Sequence, residues 1–322
     1  MKTFLYGFLI FGFIIFGTIE MGLISADEGK FANLEGKVAF GTIRSRTGDV
    51  VLLQDGDIQL VDKIADSPRF SPDGTKLLYV AMKYRPGKIA VLNLHNKEQK
   101  FYEVKPEPGA MAWLVSDNKI LYEGIVDFKR EINGLFIFDP VSGNVIKIHE
   151  FDPGFDVSAF DVTKEGNKIA IELGAPKGSD RSGIYLGTLS GDKIKDLQYF
   201  ISKGEKPRFS PEGRMLAFVK IPDPKVHPST HLREIFVLDL ETKEESRLTN
   251  NEWEDREPCW SPDGKKILFV SNRRKGYPWG GELFLLNLDD RSETQVSFGK
   301  PIGEVIGSGG IWTTDDQPDW AP

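Results

Sequence analysis

The sequence predicts an all-β chain folded as a six-bladed β-propeller of four-stranded antiparallel blades, its ring closed by pairing of the N- and C-terminal strands. Three observations predict it. A short motif recurs along the chain, its copies are spaced as propeller blades are spaced, and the two ends of the chain read as halves of one copy.

The strong copies are Pro68-Arg-Phe-Ser-Pro-Asp-Gly-Thr-Lys-Leu-Leu-Tyr-Val80, Pro207-Arg-Phe-Ser-Pro-Glu-Gly-Arg-Met-Leu-Ala-Phe-Val219 and Pro258-Cys-Trp-Ser-Pro-Asp-Gly-Lys-Lys-Ile-Leu-Phe-Val270. Two weaker ones lie between, at Ala112–Tyr122 and at Ala159–Ile171, the latter read with two extra residues in its turn. The aromatics Phe70, Trp113, Phe160, Phe209 and Trp260 are then 43, 47, 49 and 51 residues apart. That period, with several strands per unit, is the signature of propeller blades.

Each copy is a strand, a turn and a strand. In Ser-Pro-Asp-Gly the proline presets φ for a type I turn, the aspartate caps it and the glycine accepts the left-handed position. Two further strand-like stretches follow each copy, such as Ile89–Leu94 and Gln99–Val104, completing four strands. Runs such as Leu77–Val80 and Ile267–Val270 are apolar at every residue, as expected of sheets covered on both faces by neighbouring blades. The closing copy is split. The chain ends Pro318-Asp-Trp-Ala-Pro322 and the first strand opens Glu35-Gly-Lys-Val-Ala-Phe40. Joined, they restore the motif, so Val38 to Val61 supply three strands of the last blade and the C-terminus the fourth. Such closure removes a free sheet junction.

The Phe/Trp-Ser-Pro-Asp/Glu-Gly turn followed by an apolar strand resembles the TolB-type, WD40-like propeller repeat, over residues 33 to 322. The resemblance implies the same disc. It departs from TolB itself, which places an α/β domain before the propeller, whereas about ten residues separate Ala26 from the first strand here. The Pal-binding role of TolB is therefore not carried over. Similar propellers accompany the hydrolase domain of prolyl oligopeptidase relatives, for which this sequence leaves no room.

Lys2 and the apolar run Phe4–Gly17, followed by small and apolar residues to Ala26, read as a secretory signal peptide or an uncleaved N-terminal membrane anchor. Residues 1–26 are expected to be that leader and 27–322 the propeller, placed outside the cytoplasm, periplasmic or secreted. A net charge of -7 argues against nucleic acid as partner. The single cysteine, Cys259, precludes an internal disulfide and reads as a small buried hydrophobe.

Catalytic signatures are missing from the sequence. There is no nucleophile elbow, His-Glu-x-x-His or phosphate-binding Gly-Lys-Ser/Thr loop, so no catalytic residue, cofactor or metal is expected. Ser190-Gly-Asp-Lys193 sits in a strand-joining turn, and Gly307–Gly310 lacks the strand–helix unit of a dinucleotide site. His227 and His231 are four apart, but Pro222, Pro224 and Pro228 forbid the helix that would aim both at one ion.

One distribution does point to function. In a propeller, the loops joining second to third strands share a face with the blade-to-blade connections. Those loops hold Arg44 and Arg46, Lys83 and Arg85, Lys129 and Arg130, Lys177 and Arg181, Lys225 and Arg233, then Arg273, Arg274 and Lys275. The connections carry acids, among them Asp66, Glu150, Asp152, Asp156, Glu254, Asp255, Glu257, Asp315 and Asp316. A basic crown around an acidic channel mouth is expected, with Trp279 as an aromatic anchor. Such a field steers a complementary partner. The expected function is a non-catalytic scaffold for a protein or peptide in the cell envelope. The alternative is a hydrolase- or lyase-type enzyme or glycan-binding module acting on anionic substrates, marked by clustered acids and bases in a pocket.

Overall fold

The computed structural model describes residues 34, 36–44, 47–54, 57–114, 118–222, 232–273, 282–296 and 318–322. Strands β1 (Lys37–Arg44), β2 (Thr47–Gln54) and β3 (Asp57–Lys63) come first in the chain. Blade 1 follows as β4 (Ala65–Phe70), β5 (Lys76–Ala81), β6 (Lys88–Asn93) and β7 (Gln99–Tyr102), and blade 2 as β8 (Met111–Leu114), β9 (Lys119–Asp127), β10 (Ile132–Phe138) and β11 (Val145–Glu150). Blade 3 holds β12 (Asp156–Val162), β13 (Lys168–Gly174), β14 (Gly183–Ser190) and β15 (Lys193–Ser202). Blade 4 holds β16 (Glu205–Phe209), β17 (Met215–Lys220), β18 (Glu234–Asp239) and β19 (Glu245–Arg247). Blade 5 holds β20 (Asp255–Trp260), β21 (Lys266–Ser271), β22 (Glu282–Asn287) and β23 (Glu293–Gln295). The last strand, β24 (Asp319–Ala321), pairs with β1, so that blade 6 runs β24-β1-β2-β3. These are six four-stranded antiparallel sheets.

The split repeat closes the ring as expected: Val38 faces Trp320 and Lys37 faces Ala321 across the antiparallel pair. That pair repeats the register of every other blade. Phe70 faces Leu77, Trp113 faces Ile120, Phe209 faces Leu216 and Trp260 faces Ile267. In blade 3 the register corrects the sequence reading. Val162, not Phe160, faces Ile169, and Thr163 N donates to Lys168 O, five residues on, as Ser71 N donates to Lys76 O. The turn therefore holds no extra residues, and Thr163-Lys164-Glu165-Gly166 is the Ser-Pro-Asp-Gly turn of that blade. A β-branched residue stands at its aromatic position, which misled an alignment built on aromatics.

The turns behave as their residues dictate. Gly74 N donates to Ser71 O at 2.7 Å, Ser71 Oγ bonds Asp73 Oδ1 at 2.6 Å, and Gly74 takes a φ of +66°, where a side chain is disfavoured. The buried apolar residues form six clusters, and each spans one blade-to-blade junction. Leu78, Val80 and Ile89 of blade 1 pack on Trp113, Ile120 and Phe136 of blade 2, for example. The two clusters flanking blade 6 include Val38, Phe40 and Trp320 on one side and Ala39 and Ala321 on the other. Ring closure is thus a packing fact as well as a hydrogen-bonding one.

The axis is closed by charge. The residues just before the aromatic position, Arg69, Ala112, Asp161, Arg208, Cys259 and Asp319, line a cavity of about 230 Å3 on the axis. Arg208 Nη2 donates to Asp319 Oδ1 at 2.9 Å and to Pro318 O at 2.6 Å, and its Nη1 lies 3.6 Å from Asp161 Oδ1. Asp319 Oδ2 in turn accepts from Phe70 N at 2.6 Å, and Asp161 Oδ2 from Phe209 N at 2.8 Å. Blades 1, 3, 4 and 6 are tied together at the centre of the disc.

Candidate functional site

Strand topology sorts the connections onto two faces. The Ser-Pro-Asp-Gly turns lie on one, here called the turn face, together with Lys37 and the C-terminus. The loops joining second to third strands and the blade-to-blade connections lie on the other, the loop face. The basic residues noted in the sequence all belong to loop-face connections. Of these, Arg46, Lys225, Arg274, Lys275 and Trp279, like His227, His231, Gly307–Gly310, Asp315, Asp316 and the leader at 1–26, lie outside the described residues. Arg44 ends β1 at this face, and its side chain lies outside the described ones.

The remaining cations fall into two groups. In blades 4 and 5 they are engaged. Arg233 Nε meets Glu205 at 2.7 Å and its Nη1 meets Glu254 at 2.8 Å. Arg273 pairs with Glu293, lies 3.6 Å from the fully buried Asp255, and stacks over the Phe284 ring at 4.4 Å. Lys83 in blade 1 is engaged as well, 2.8 Å from Asp62. Arg85, Lys129, Arg130, Lys177 and Arg181, on blades 1 to 3, are exposed, and none forms an ion pair among the described residues. Among the described residues, the crown cations held in no ion pair are thus those of blades 1 to 3.

The expected acidic mouth is a mixture of signs. Between blades 3, 4 and 5 a cavity of about 430 Å3 is lined by Glu172, Glu205, Lys206, Arg233, Arg256 and Glu257, with Ser158 and Val219. Lys206 Nζ lies 3.7 Å from Glu257 Oε1, and Glu172 Oε2 accepts from Lys206 N at 2.9 Å. Burial raises the Glu172 pKa above the usual carboxylate range, against the pull of the Lys206 backbone N–H. Asp255 is likewise raised by burial.

A second buried carboxyl was missed in the sequence. Glu123, beside Gly109 on blade 2, has its pKa pushed up to about 7 by burial, with Asp156 adding to the shift. Both Glu123 and Glu172 stand three residues beyond the residue that faces the aromatic position, where blades 1, 4 and 5 carry Val80, Val219 and Val270. The signal was present: Ile-Leu-Tyr-Glu and Ile-Ala-Ile-Glu replace Leu-Leu-Tyr-Val at the junction-facing end of the run.

Cys259 is buried, its thiol pushed up to about 12 by burial although Arg208 pulls the other way. Its burial matches the small buried hydrophobe expected from the sequence. Among the described residues, no group of three or more His, Cys, Asp or Glu side chains could hold a metal ion.

Comparison with known proteins agrees with this geometry. The family model for the TolB beta propeller domain matches residues 161–305. TolB from Acinetobacter baumannii superposes with a TM-score of 0.68 over 90% of this chain and 68% of that one, at 18% identity. The chain carries TolB-like propeller repeats. Beyond TolB, an oligogalacturonate lyase solved with manganese shares the fold at a TM-score of 0.53 and 17% identity, over 82% of this chain and 74% of that one. Dipeptidyl-peptidase 5 of Porphyromonas gingivalis is 32% identical over 88 residues, which are 27% of this chain and only 13% of the peptidase. The match to that relative spans about one eighth of its length, and the TolB-like disc is what the structural relatives have in common.

Proposed function

We propose that the protein is an extracytoplasmic, non-catalytic scaffold that binds a protein or peptide through its loop face. Residues 1–26 serve as leader or membrane tether, and the propeller from residue 27 onward presents the face. One observation carries the reading. A chain with a net charge of -7 gathers five exposed cations, Arg85, Lys129, Arg130, Lys177 and Arg181, on three adjacent blades of one face, none in an ion pair among the described residues. Exposed cationic side chains held in no ion pair among the described residues leave their charge available to the solvent, and a field of that sign selects and orients an acidic partner. Arg44, Arg274 and Trp279 are assigned to the same face as further contacts. Arg233 and Arg273 support it from beneath by holding the loop bases in place.

The test is retention of a partner from envelope extracts on the immobilised protein, compared with Arg85→Glu/Arg130→Glu/Arg181→Glu. Retention that is lost in the variant and weakens with salt is expected; equal retention by both proteins overturns the reading. Arg273 is left out of the variant because its loss would strand the buried Asp255.

A second reading has its own observation. The mixed cavity around Glu172, Arg256 and Glu257 holds acids and bases together, and Arg256 Nε is buried there with no hydrogen-bond partner. Perturbed carboxyls in a cavity are also found at catalytic sites. An enzyme or binding module for anionic glycans would use this cavity, and Arg256→Ala would then abolish binding of an acidic oligosaccharide while leaving partner retention on the loop face intact.

A further inference from the structure

We propose that the adjoining corners of blades 1 and 2 form a rigid knob that inserts Phe128 into an apolar pocket, rimmed by carboxylates, on a folded protein partner. The proposal rests on the scaffold reading above and names both the anchor and the kind of surface that receives it.

The corner joining β9 to β10 exposes Phe128 at 83%, Ile125 at 47% and Val126 at 38%, and the corner joining β5 to β6 exposes Met82 at 44%. Single exposed apolar residues are ordinary, but a group of them on one edge marks an interaction surface. The two corners are continuous through Glu107. Its carboxylate accepts from Gly87 N, and its carbonyl lies 3.1 Å from where a Cβ on Gly124 would sit. Met82 Sδ is 3.7 Å from the corresponding position on Gly87.

The knob is held before any partner arrives. Asp127 Oδ1 accepts from Lys129 N at 2.9 Å and from Arg130 N at 3.2 Å, fixing the tip that carries Phe128. Glu131 O accepts from Gly154 N at 3.0 Å, and Asn133 Nδ2 donates to Phe155 O at 2.9 Å, so the hairpin base is strapped to the blade 2–3 connection. An aromatic on a preorganised tip loses little freedom on binding, which is what an interface anchor needs.

The shape and the chemistry choose the occupant. A protruding ring needs a concavity, which a folded protein offers and an extended peptide does not. Lys129 and Arg130, which follow Phe128 in the chain, and Arg85 on the adjoining corner call for carboxylates at the rim. Aliphatic Ile125, Val126 and Met82 are poor platforms for sugars, which stack on flat aromatic faces. A bilayer is disfavoured by topology: the segment bearing the apolar run of residues 4–24 joins the disc at Lys37, on the turn face, where Lys37 Nζ bonds Pro322 O.

The experiment places p-benzoylphenylalanine, a photocrosslinker, at position 128 in the cell that makes the protein, with position 141 as control, since Val141 is 94% exposed on the turn face. The expected result is one protein adduct from position 128 and not from 141, with the linked peptide mapping to an apolar pocket bordered by Asp or Glu. Phe128→Ser is expected to weaken the purified complex roughly thirtyfold. Its urea midpoint should be unchanged, because the ring is outside the core. Absence of an adduct overturns the knob. So does an adduct that forms only when the probe is moved from position 128 to position 181, which leaves the loop-face reading standing. A partner indifferent both to Phe128→Ser and to the arginine reversal overturns both. Two other results also overturn the proposal: Phe128-dependent sedimentation with vesicles of phosphatidylethanolamine and phosphatidylglycerol gives the patch to a membrane, and a Phe128-dependent dimer in analytical ultracentrifugation gives it to a second copy of the chain.

Discussion

Blades 1 to 3 and blades 4 and 5 carry the same kind of residue in the same kind of loop, yet the two sides of the loop face use it differently. Arg233 and Arg273 reach carboxylates on blade-to-blade connections and hold loop bases together. Arg85, Arg130 and Arg181 are exposed and form no ion pair among the described residues. Every blade supplies at least two basic residues to this face; the positions of acids relative to them differ from blade to blade. Charge on a propeller face informs about binding only after the ion pairs within the disc are subtracted.

The largest expected effect breaks the engaged side. Arg273→Ala removes the cation nearest Asp255, whose carboxyl is fully buried, and should cost about 2–3 kcal/mol in urea unfolding at neutral pH. The folded pKa of Asp255 is already raised by burial, so protonation favours the folded state. The cost should therefore shrink as pH falls towards the ordinary carboxylate range. A loss that is independent of pH would show that Arg273 acts through its stacking on Phe284 instead.

Next comes a gain on the open side. Glu123 has a folded pKa of about 7 against about 4.5 when unfolded. A raised folded value means stability is highest below about pH 4.5, declines as pH rises to about 7, and is constant above. Glu123→Val, which installs the residue found in blades 1, 4 and 5, should raise stability at pH 8 by about 2 kcal/mol and flatten that decline. A destabilised variant would mean that Glu123 makes a compensating contact on the loop face.

Much of this was legible in the sequence, for reasons that differ by element. Blade count, closure and turn chemistry follow from Ser-Pro-Asp-Gly and from the split motif at Trp320 and Val38, because local turn geometry and strand register depend on neighbours in the chain. Blade 3 was misaligned since Val162 stands where an aromatic was sought. The division of the crown was not legible. That Arg233 meets Glu205 and Glu254, while Arg130 forms no ion pair among the described residues, depends on residues 28 and 21 positions from Arg233 being folded beside it. Phe128 was hidden for a related reason: exposure of an aromatic is a property of what fails to cover it.

A smaller effect is expected from Arg233→Ala. Its guanidinium is about one-third exposed, so solvent screens both pairs, and the loss should be about 1 kcal/mol. Its informative readout is the neighbouring cavity. With the cation gone, Glu205 stands closer in charge to Glu172, and the proton affinity of Glu172 should rise further, measurable by carboxyl titration in NMR.

The smallest effect on stability is expected where binding is most affected. Arg85→Glu/Lys129→Glu/Arg130→Glu replaces three exposed side chains that form no ion pair among the described residues, so the urea midpoint should move by no more than about 0.5 kcal/mol in equivalent stability. Association with the partner should slow severalfold, the rate should lose its salt dependence, and dissociation should change little, because unpaired rim charges steer encounter more than they hold the complex. Phe128→Ser should show the reverse, with faster dissociation and an unchanged association rate. If both variants alter only dissociation, the cations pair directly with partner carboxylates in a desolvated interface, and the open side of the face is an extension of the knob rather than a field around it.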